Sequence, residues 1–429
     1  MRRAIAKGRV AVAAASLLLA AGCGPDSPPS GDPASATNGT GPITFAVGKD
    51  DATFFAKLIG PWNKVHPDQP VTLLYLPESA NGQLAQLTAN LQAASPVYDV
   101  IDMDVVWTAQ FASAGWIIPL NAADFPLSDF LRPAVDTAMY HGRLYAVPDY
   151  SNADLLYYRK DILAKVGVQP PRTWAQLRNL AETVAPRYGL QGYAGQFAQY
   201  EGLTVNFAEA VQSAGGSLLS PNGIVVTVDS PMAEKGLDFL VNGLRDGWIP
   251  KASLTYEEES SKADFESGKL LFLNNWPFVW NDVSQPDPAN KVYGKVGVAP
   301  IPGLDGPGSS SLGGANLAVS AYSRHQRTAL AFIRYLTSLP EEKQLLIDSG
   351  FPPVWTRLYS DPALVKRFSY LPVVKQAILS AHPRPAITDY DQASLVISSA
   401  AYQALTFRKM PGQALAEMAA QLAAIIRDG

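Results

Sequence analysis

Asp102 and Asp104 close the run DVIDMDVV, a stretch otherwise made of apolar strand formers. A carboxylate there is costly unless it is hydrogen-bonded or stands at the open edge of a sheet. In parallel α/β sheets that edge is where ligands are met, and Asp104 is also placed to cap a helix beginning near Trp107. Asp50 and Asp51 stand in the same relation to an earlier strand, ITFAVG at 43–48, with the same two readings, helix cap or ligand carboxylate. Asp149 and Asn152 put polar groups into VPDYSNADLLYY, which suits either a turn or an amide that meets a guest. Glu257, Glu258 and Glu259 precede a helix, where solvated acids complement the dipole and where one of them can also reach a ligand. In NNWPFVW the asparagines before Trp276 and the proline before Phe278 suit a loop that presents an aromatic ring, although aromatic residues mostly fill cores. Arg384 lies between Pro383 and Pro385, whose rings stiffen its backbone and hold a guanidinium ready for carboxylates or hydroxyls. Carboxylates, an amide, a guanidinium and aromatic plates are together what a sugar demands: each ring offers hydroxyls that donate and accept, and one face of C–H bonds.

Catalytic arrangements are poorer. The chain has no Gly-x-Ser-x-Gly elbow, no GxGxxG after the first strand, no Walker loop and no His-Glu-x-x-His. A glycosidase using Asp104 and Glu258 stays open at this stage, because the separation of the carboxylates in space decides it. The four histidines are scattered singly and the only cysteine is Cys23, so neither a Cys/His metal site nor a cofactor is expected.

Strands must alternate with helices to position these groups. After 43–48 the spacing of Phe54, Phe55, Leu58, Ile59 and Trp62 predicts a helix, VTLLYL at 71–76 predicts a strand, and Leu84, Leu87 and Leu91 share one helical face. This alternation predicts a parallel α/β sheet. Further on, Thr173 and Gln176 suit a capping box, Ser230-Pro231 opens a helix that Gly247 closes, and the chain from 361 onward reads as helical. About 385 residues of globular sequence exceed what one core usually supports, so two lobes are expected.

At the N-terminus, Arg2, Arg3, Lys7 and Arg9 precede twelve apolar residues, Val10 to Ala21, too few to span a bilayer and typical of an export signal. Cys23 follows Ala20-Ala21-Gly22 as at a lipoprotein processing site. Residues 24–42, rich in Pro, Ser, Gly, Asp, Thr and Asn, read as a flexible tether. A net charge of −4 without a long basic run argues against nucleic acid or anionic lipid as the main partner.

The chain resembles the extracellular solute-binding proteins of sugar ABC transporters, and among them the actinobacterial trehalose-binding lipoproteins and the trehalose/maltose-binding proteins. Seven stretches in order carry the likeness: MDVVWTAQFASAGWIIPL at 103–120, GRLYAVP at 142–148, LLYYRKDIL at 155–163, FESGKLLFLNNWPFV at 265–279, GVAPIPG at 297–303, GGANLAVS at 313–320 and RPAITDY at 384–390. The resemblance implies a two-lobed periplasmic-binding-protein fold of the type II kind, each lobe a mostly parallel sheet flanked by helices, with a helical C-terminal region. It implies hinge crossings near 153, 312 and 350, with residues 43–152 and 313–350 in one lobe and 153–312 and 351–429 in the other. It further implies a monomer that binds a small sugar without cleaving it and docks on permease subunits, held at the outer face of the cell membrane by a lipid on Cys23. By motif, Asp50, Asp104, Asn152, Glu258, Trp276, Phe278 and Arg384 are similar to the family's sugar contacts, and Gly313 and Gly314 would let backbone approach the guest. Ala315 departs from the leucine expected after those glycines, and an insertion before GVAP is missing. Both departures leave the sugar's identity open, with a polyol or a longer oligosaccharide as alternatives.

Overall fold

The computed structural model describes residues 39–220 and 223–428, apart from the side chains of Asp50 and Asp428. Cys23 and the expected tether as far as residue 38 lie outside the described residues. The tether's expected end at 42 is too late, because packing begins by residue 39: Gly41 N donates to Thr328 Oγ1 at 3.1 Å and His325 Nδ1 meets the Pro42 carbonyl at 2.6 Å.

Twelve strands are described: β1 (Ile43–Gly48), β2 (Val71–Leu76), β3 (Val100–Asp104), β4 (Met139–Tyr140), β5 (Arg143–Leu144), β6 (Ala146–Ala153), β7 (Leu155–Arg159), β8 (Gln191–Ala194), β9 (Leu270–Asn275), β10 (Val296–Ala299), β11 (Ser311–Val319) and β12 (His382–Pro383). The first large sheet has the order β12-β11-β3-β1-β2, with β6 also paired to β11, and the second has the order β10-β7-β9-β8. Strand β1 is parallel to β2 and β3, as the alternation of strands and helices requires. In the second sheet only β8 and β9 are parallel, and β7 runs antiparallel to both β9 and β10. The expectation of a mostly parallel sheet fails there because β7 is reached from β6 through the single residue Asp154, not through a helical crossover. Its direction is therefore inherited from the first sheet.

Local signals explain the helices. Phe55, Leu58, Ile59 and Trp62 are buried under β1, with Phe55 edge-on to Phe45 at 5.2 Å between ring centres; each such side chain contributes about 1.5–3 kcal/mol by leaving water. Thr173 and Gln176 form the reciprocal capping box, and the Pro231–Asp246 helix is capped by Ser230 and stopped by Gly247 at φ +83°. The Tyr390–Leu405 and Pro411–Asp428 helices bury Ile397, Ala401, Leu405, Leu415 and Met418 in the core that covers the second sheet.

Residue 350 is not where the packing changes lobes. Phe351 stacks on Tyr150 of β6 at 4.6 Å, Trp355 packs edge-on to Phe130 at 5.2 Å, and Leu131 N donates to the Val354 carbonyl at 2.8 Å. The apolar segment after Gly350 thus covers the first sheet.

Candidate functional site

Asp104 ends β3 and does two things at once. Its Oδ1 accepts from Val106 N at 3.1 Å, capping the short turn Val105–Trp107, and from Arg384 Nη2 at 2.8 Å. Capping and site-building are therefore not alternatives. The Arg384 side chain is 2 % exposed, and its Nη1 donates to Glu201 Oε1 at the head of the Glu201–Ser213 helix. Tyr390 donates to the same Glu201 oxygen at 2.5 Å, the Ser394 hydroxyl donates to the other, and Glu201 N donates to Asn81 Oδ1 at 2.9 Å. Burial works against the guanidinium's charge, yet Asp104, Tyr390 and Glu201 hold it firmly protonated. Glu201 is itself pushed up by burial, against the pull of Arg384.

Facing this network is a cavity of about 480 Å³. Asp104, Asn152, Glu258, Trp276, Phe278, Gly313, Gly314 and Arg384 all line it. The side chain of Asp50 lies outside the described residues, and its neighbour Asp51 is on the cavity wall. Asn152 belongs to strand β6, not to a turn, and its buried Oδ1 has no hydrogen-bond partner. Glu258 is half-buried at the start of the Glu258–Glu266 helix, accepts from Tyr200 Oη at 2.7 Å, and is pushed up to about 6 by burial. Asn274 and Asn275 are the last residues of β9 and are buried. The side chain of Asn275 accepts from Trp276 N at 2.7 Å and donates to the Glu258 carbonyl at 3.0 Å, which fixes the tryptophan and the acid to each other. Phe278 carries the Lys262 ammonium 5.0 Å from its ring centre.

The two glycines serve protein packing as much as access. A Cβ on Gly313 would lie 2.3 Å from Asn152 Oδ1 and 2.6 Å from the Trp276 ring, so only glycine lets that ring seat against β11. Gly314 has φ +121° and abuts the Tyr150 carbonyl.

Among the residues absent from the sequence-derived set are Glu201, Tyr150 and Lys262, which line the cavity, and Tyr200, which holds Glu258. Glu201 opens a helix between small and apolar residues, and nothing in its local spacing separates it from a dipole-complementing acid. Tyr150 Oη meets Asp51 Oδ2 at 3.4 Å. Behind them Asp149 is wholly buried with neither carboxylate oxygen bonded, and burial followed by repulsion from Asp51 pushes it up to about 8. Among the described residues no group of three His, Cys, Asp or Glu side chains has an arrangement that would hold a metal ion.

A cavity lined by carboxylates, an amide and aromatic rings has the chemistry to receive a small polar guest. The model of the bacterial extracellular solute-binding protein family matches residues 46–343, and the chain belongs to that family. It is accordingly a solute-binding protein and not an enzyme. A "Probable ABC transporter-binding protein" of Deinococcus radiodurans is 32 % identical over 368 residues, covering 83 % of this chain and 86 % of the relative. A mannitol-binding protein of Pseudomonas aeruginosa is 28 % identical, covering 69 % of each. Among solved structures, maltose-bound MalE3 of T. maritima superposes with a TM-score of 0.85 at 31 % identity, covering 90 % of this chain and 99 % of that one. The GacH receptor of Streptomyces glaucescens, solved unliganded and with acarbose, gives 0.80 at 25 % identity, covering 91 % and 99 %. The two-lobed α/β architecture is thus the one expected.

Proposed function

We propose that this chain captures a disaccharide of the trehalose or maltose kind between its lobes and delivers it to the permease subunits of an ABC importer. The reading is carried by one observation: Asp104, Glu258, Asn152, Trp276 and Phe278, from both halves of the polypeptide, converge on a single 480 Å³ cavity. That volume falls within the roughly 300–1,000 Å³ of small-ligand pockets. The half-buried rings offer plates for the C–H faces of a sugar, and the carboxylates offer acceptors for its hydroxyls. The maltose-bound neighbour and the mannitol- and maltotriose-binding relatives support a polyhydroxyl guest.

Hydrogen bonds to charged groups contribute about 1.5–3 kcal/mol each, so four of them and an aromatic stack of about 0.5–1.5 kcal/mol together supply about 6.5–13.5 kcal/mol of favourable contact with the guest. Closure of the lobes on the guest supplies the differential contacts that drive the shift. In the same reading Cys23 carries lipid, and the chain works as a monomer at the outer face of the membrane, where stable anchoring takes more than one acyl chain.

The test is a thermal-shift screen of the chain from Gly24 onward against trehalose, maltose, maltotriose and mannitol, followed by calorimetry. A disaccharide that raises the melting temperature and binds at micromolar or tighter Kd supports the reading. Absence of any shift across the panel defeats it.

A further inference from the structure

The charge of the cavity is lopsided. Nine carboxylates line it against two bases, Lys262 and Arg384. Both bases are already engaged within the protein, Arg384 with Asp104 and Glu201, and Lys262 with Glu259 at 2.6 Å and Asp282 at 2.5 Å. Neither is left to neutralise the opposite wall.

On that wall stands Asp102, two residues before Asp104 on the same face of β3. It lines the cavity, is only 5 % exposed, and its Oδ1 has no hydrogen-bond partner. The groups that act on it most strongly are all carboxylates: Asp149 from β6, Asp51 from the Lys49–Val65 helix, and Asp104 from its own strand. Its partner across β11 is the uncharged Leu317. Asp149 faces a further buried acid, Glu342 of the Leu339–Ser349 helix. A guest hydroxyl would give Asp102 a hydrogen bond and leave the crowding of like charge untouched. An ammonium group supplies both the donor and the missing charge.

We propose that the guest is a saccharide bearing a basic nitrogen, an amino sugar or an amine-substituted glycoside, with its ammonium group set against Asp102. This rests on the sugar-binding reading above and narrows it. The same acid wall rejects anionic guests such as sugar phosphates and uronic acids. Burial and neighbouring carboxylates favour the protonated acid at Asp102 in the empty site, so an incoming ammonium releases a proton that a neutral sugar does not.

The experiment is calorimetry on the chain from Gly24 onward at about pH 6. Trehalose, maltose and mannitol are each compared with their mono-amino-deoxy analogues, in buffers of differing ionisation enthalpy. At least one amino analogue is expected to bind roughly tenfold or more tighter than its neutral parent, with net proton release. Asp102→Asn is expected to erase that preference and the proton release that accompanies it. The wild-type comparison and its proton release stand even if that variant folds poorly. Neutral parents that bind as tightly as every amino analogue, or tighter, overturn the inference and leave the sugar reading intact. Failure of every neutral and aminated probe to bind sinks the sugar reading and the inference with it.

Discussion

Replacing Arg384 by methionine isolates the buried ion pair that it makes with Asp104 and Glu201. The guanidinium is 2 % exposed, while Asp104 and Glu201 are 20 % and 10 % exposed. Removing one partner of a buried pair costs about 3–5 kcal/mol because the remaining charge is left uncompensated. Two effects reduce that figure here. Glu201 keeps Tyr390 and Ser394 as donors, and Asp104 keeps Val106 N, each such bond contributing about 1 kcal/mol. A net loss of about 2–4 kcal/mol at pH 7 is therefore expected. Its pH dependence has a definite sign. Burial already raises the Glu201 pKa and Arg384 opposes that rise, so the variant's Glu201 rises further. A carboxylate with a raised folded pKa contributes stability that is full below its unfolded value of about 4.3 and is lost as pH climbs through the folded value. The deficit of the variant must accordingly be smaller near pH 4 than at pH 7. Urea unfolding followed by tryptophan fluorescence at both pH values measures it, and adding Glu201→Gln to the variant should recover part of the loss. A deficit of the same size at both pH values, or none at either, would refute the claim that charge pairing acts at this point.

The remaining expectations concern binding and titration. Trp276→Ala should weaken disaccharide binding roughly tenfold or more in calorimetry with little change in melting temperature, since the ring is half-buried against Gly313; unchanged affinity removes Trp276 from the site. Glu258 is pushed up to about 6 by burial, so sugar affinity should fall as pH drops through about 6 and the acceptor is protonated, whereas Glu258→Gln should give a flat profile. Identical profiles for the two proteins would dismiss Glu258 as an acceptor. Asp149 is pushed up to about 8 by burial, so its contribution to stability is full below about pH 4 and is lost as pH rises towards 8. Asp149→Asn, neutral throughout, should gain on the order of 3 kcal/mol on the wild type between pH 5 and pH 8, and parallel stability curves would contradict this.

The alternation of strands and amphipathic helices was legible because its period is local. The capping signals at Thr173 and Ser230 were legible for the same reason, since their partners lie three residues away. Asp104 and Arg384 could be singled out by their surroundings, a charge in an apolar strand and an arginine between prolines. Their bond could not, because 280 residues separate them and only the pairing of β12 with β11 brings them together. Glu201 stayed invisible for a related reason: its environment is assembled from Tyr390, Ser394, Asn81 and Arg384, all distant in sequence. The antiparallel entry of β7 was equally hidden, because a one-residue passage between two sheets leaves no break in an apolar pattern.

Strand β11 joins the fold to the site in a way no single motif expresses. At its first residue, Ser311 N donates to Glu209 Oε1 at 2.9 Å, and the other Glu209 oxygen accepts from Asn274 at 2.7 Å. The Ser310 hydroxyl donates to the carbonyl of Asp154, the one residue between β6 and β7, at 2.7 Å. Both strand passages between the sheets are thus tied to buried polar groups of the second lobe. Two residues further on, Gly313 and Gly314 provide the backbone freedom of β11, and Trp276 rests on the first of them. A bend at that point of the strand cannot leave the tryptophan where it is. The close seating of the Trp276 ring against β11 therefore depends on the absence of a Cβ at residue 313.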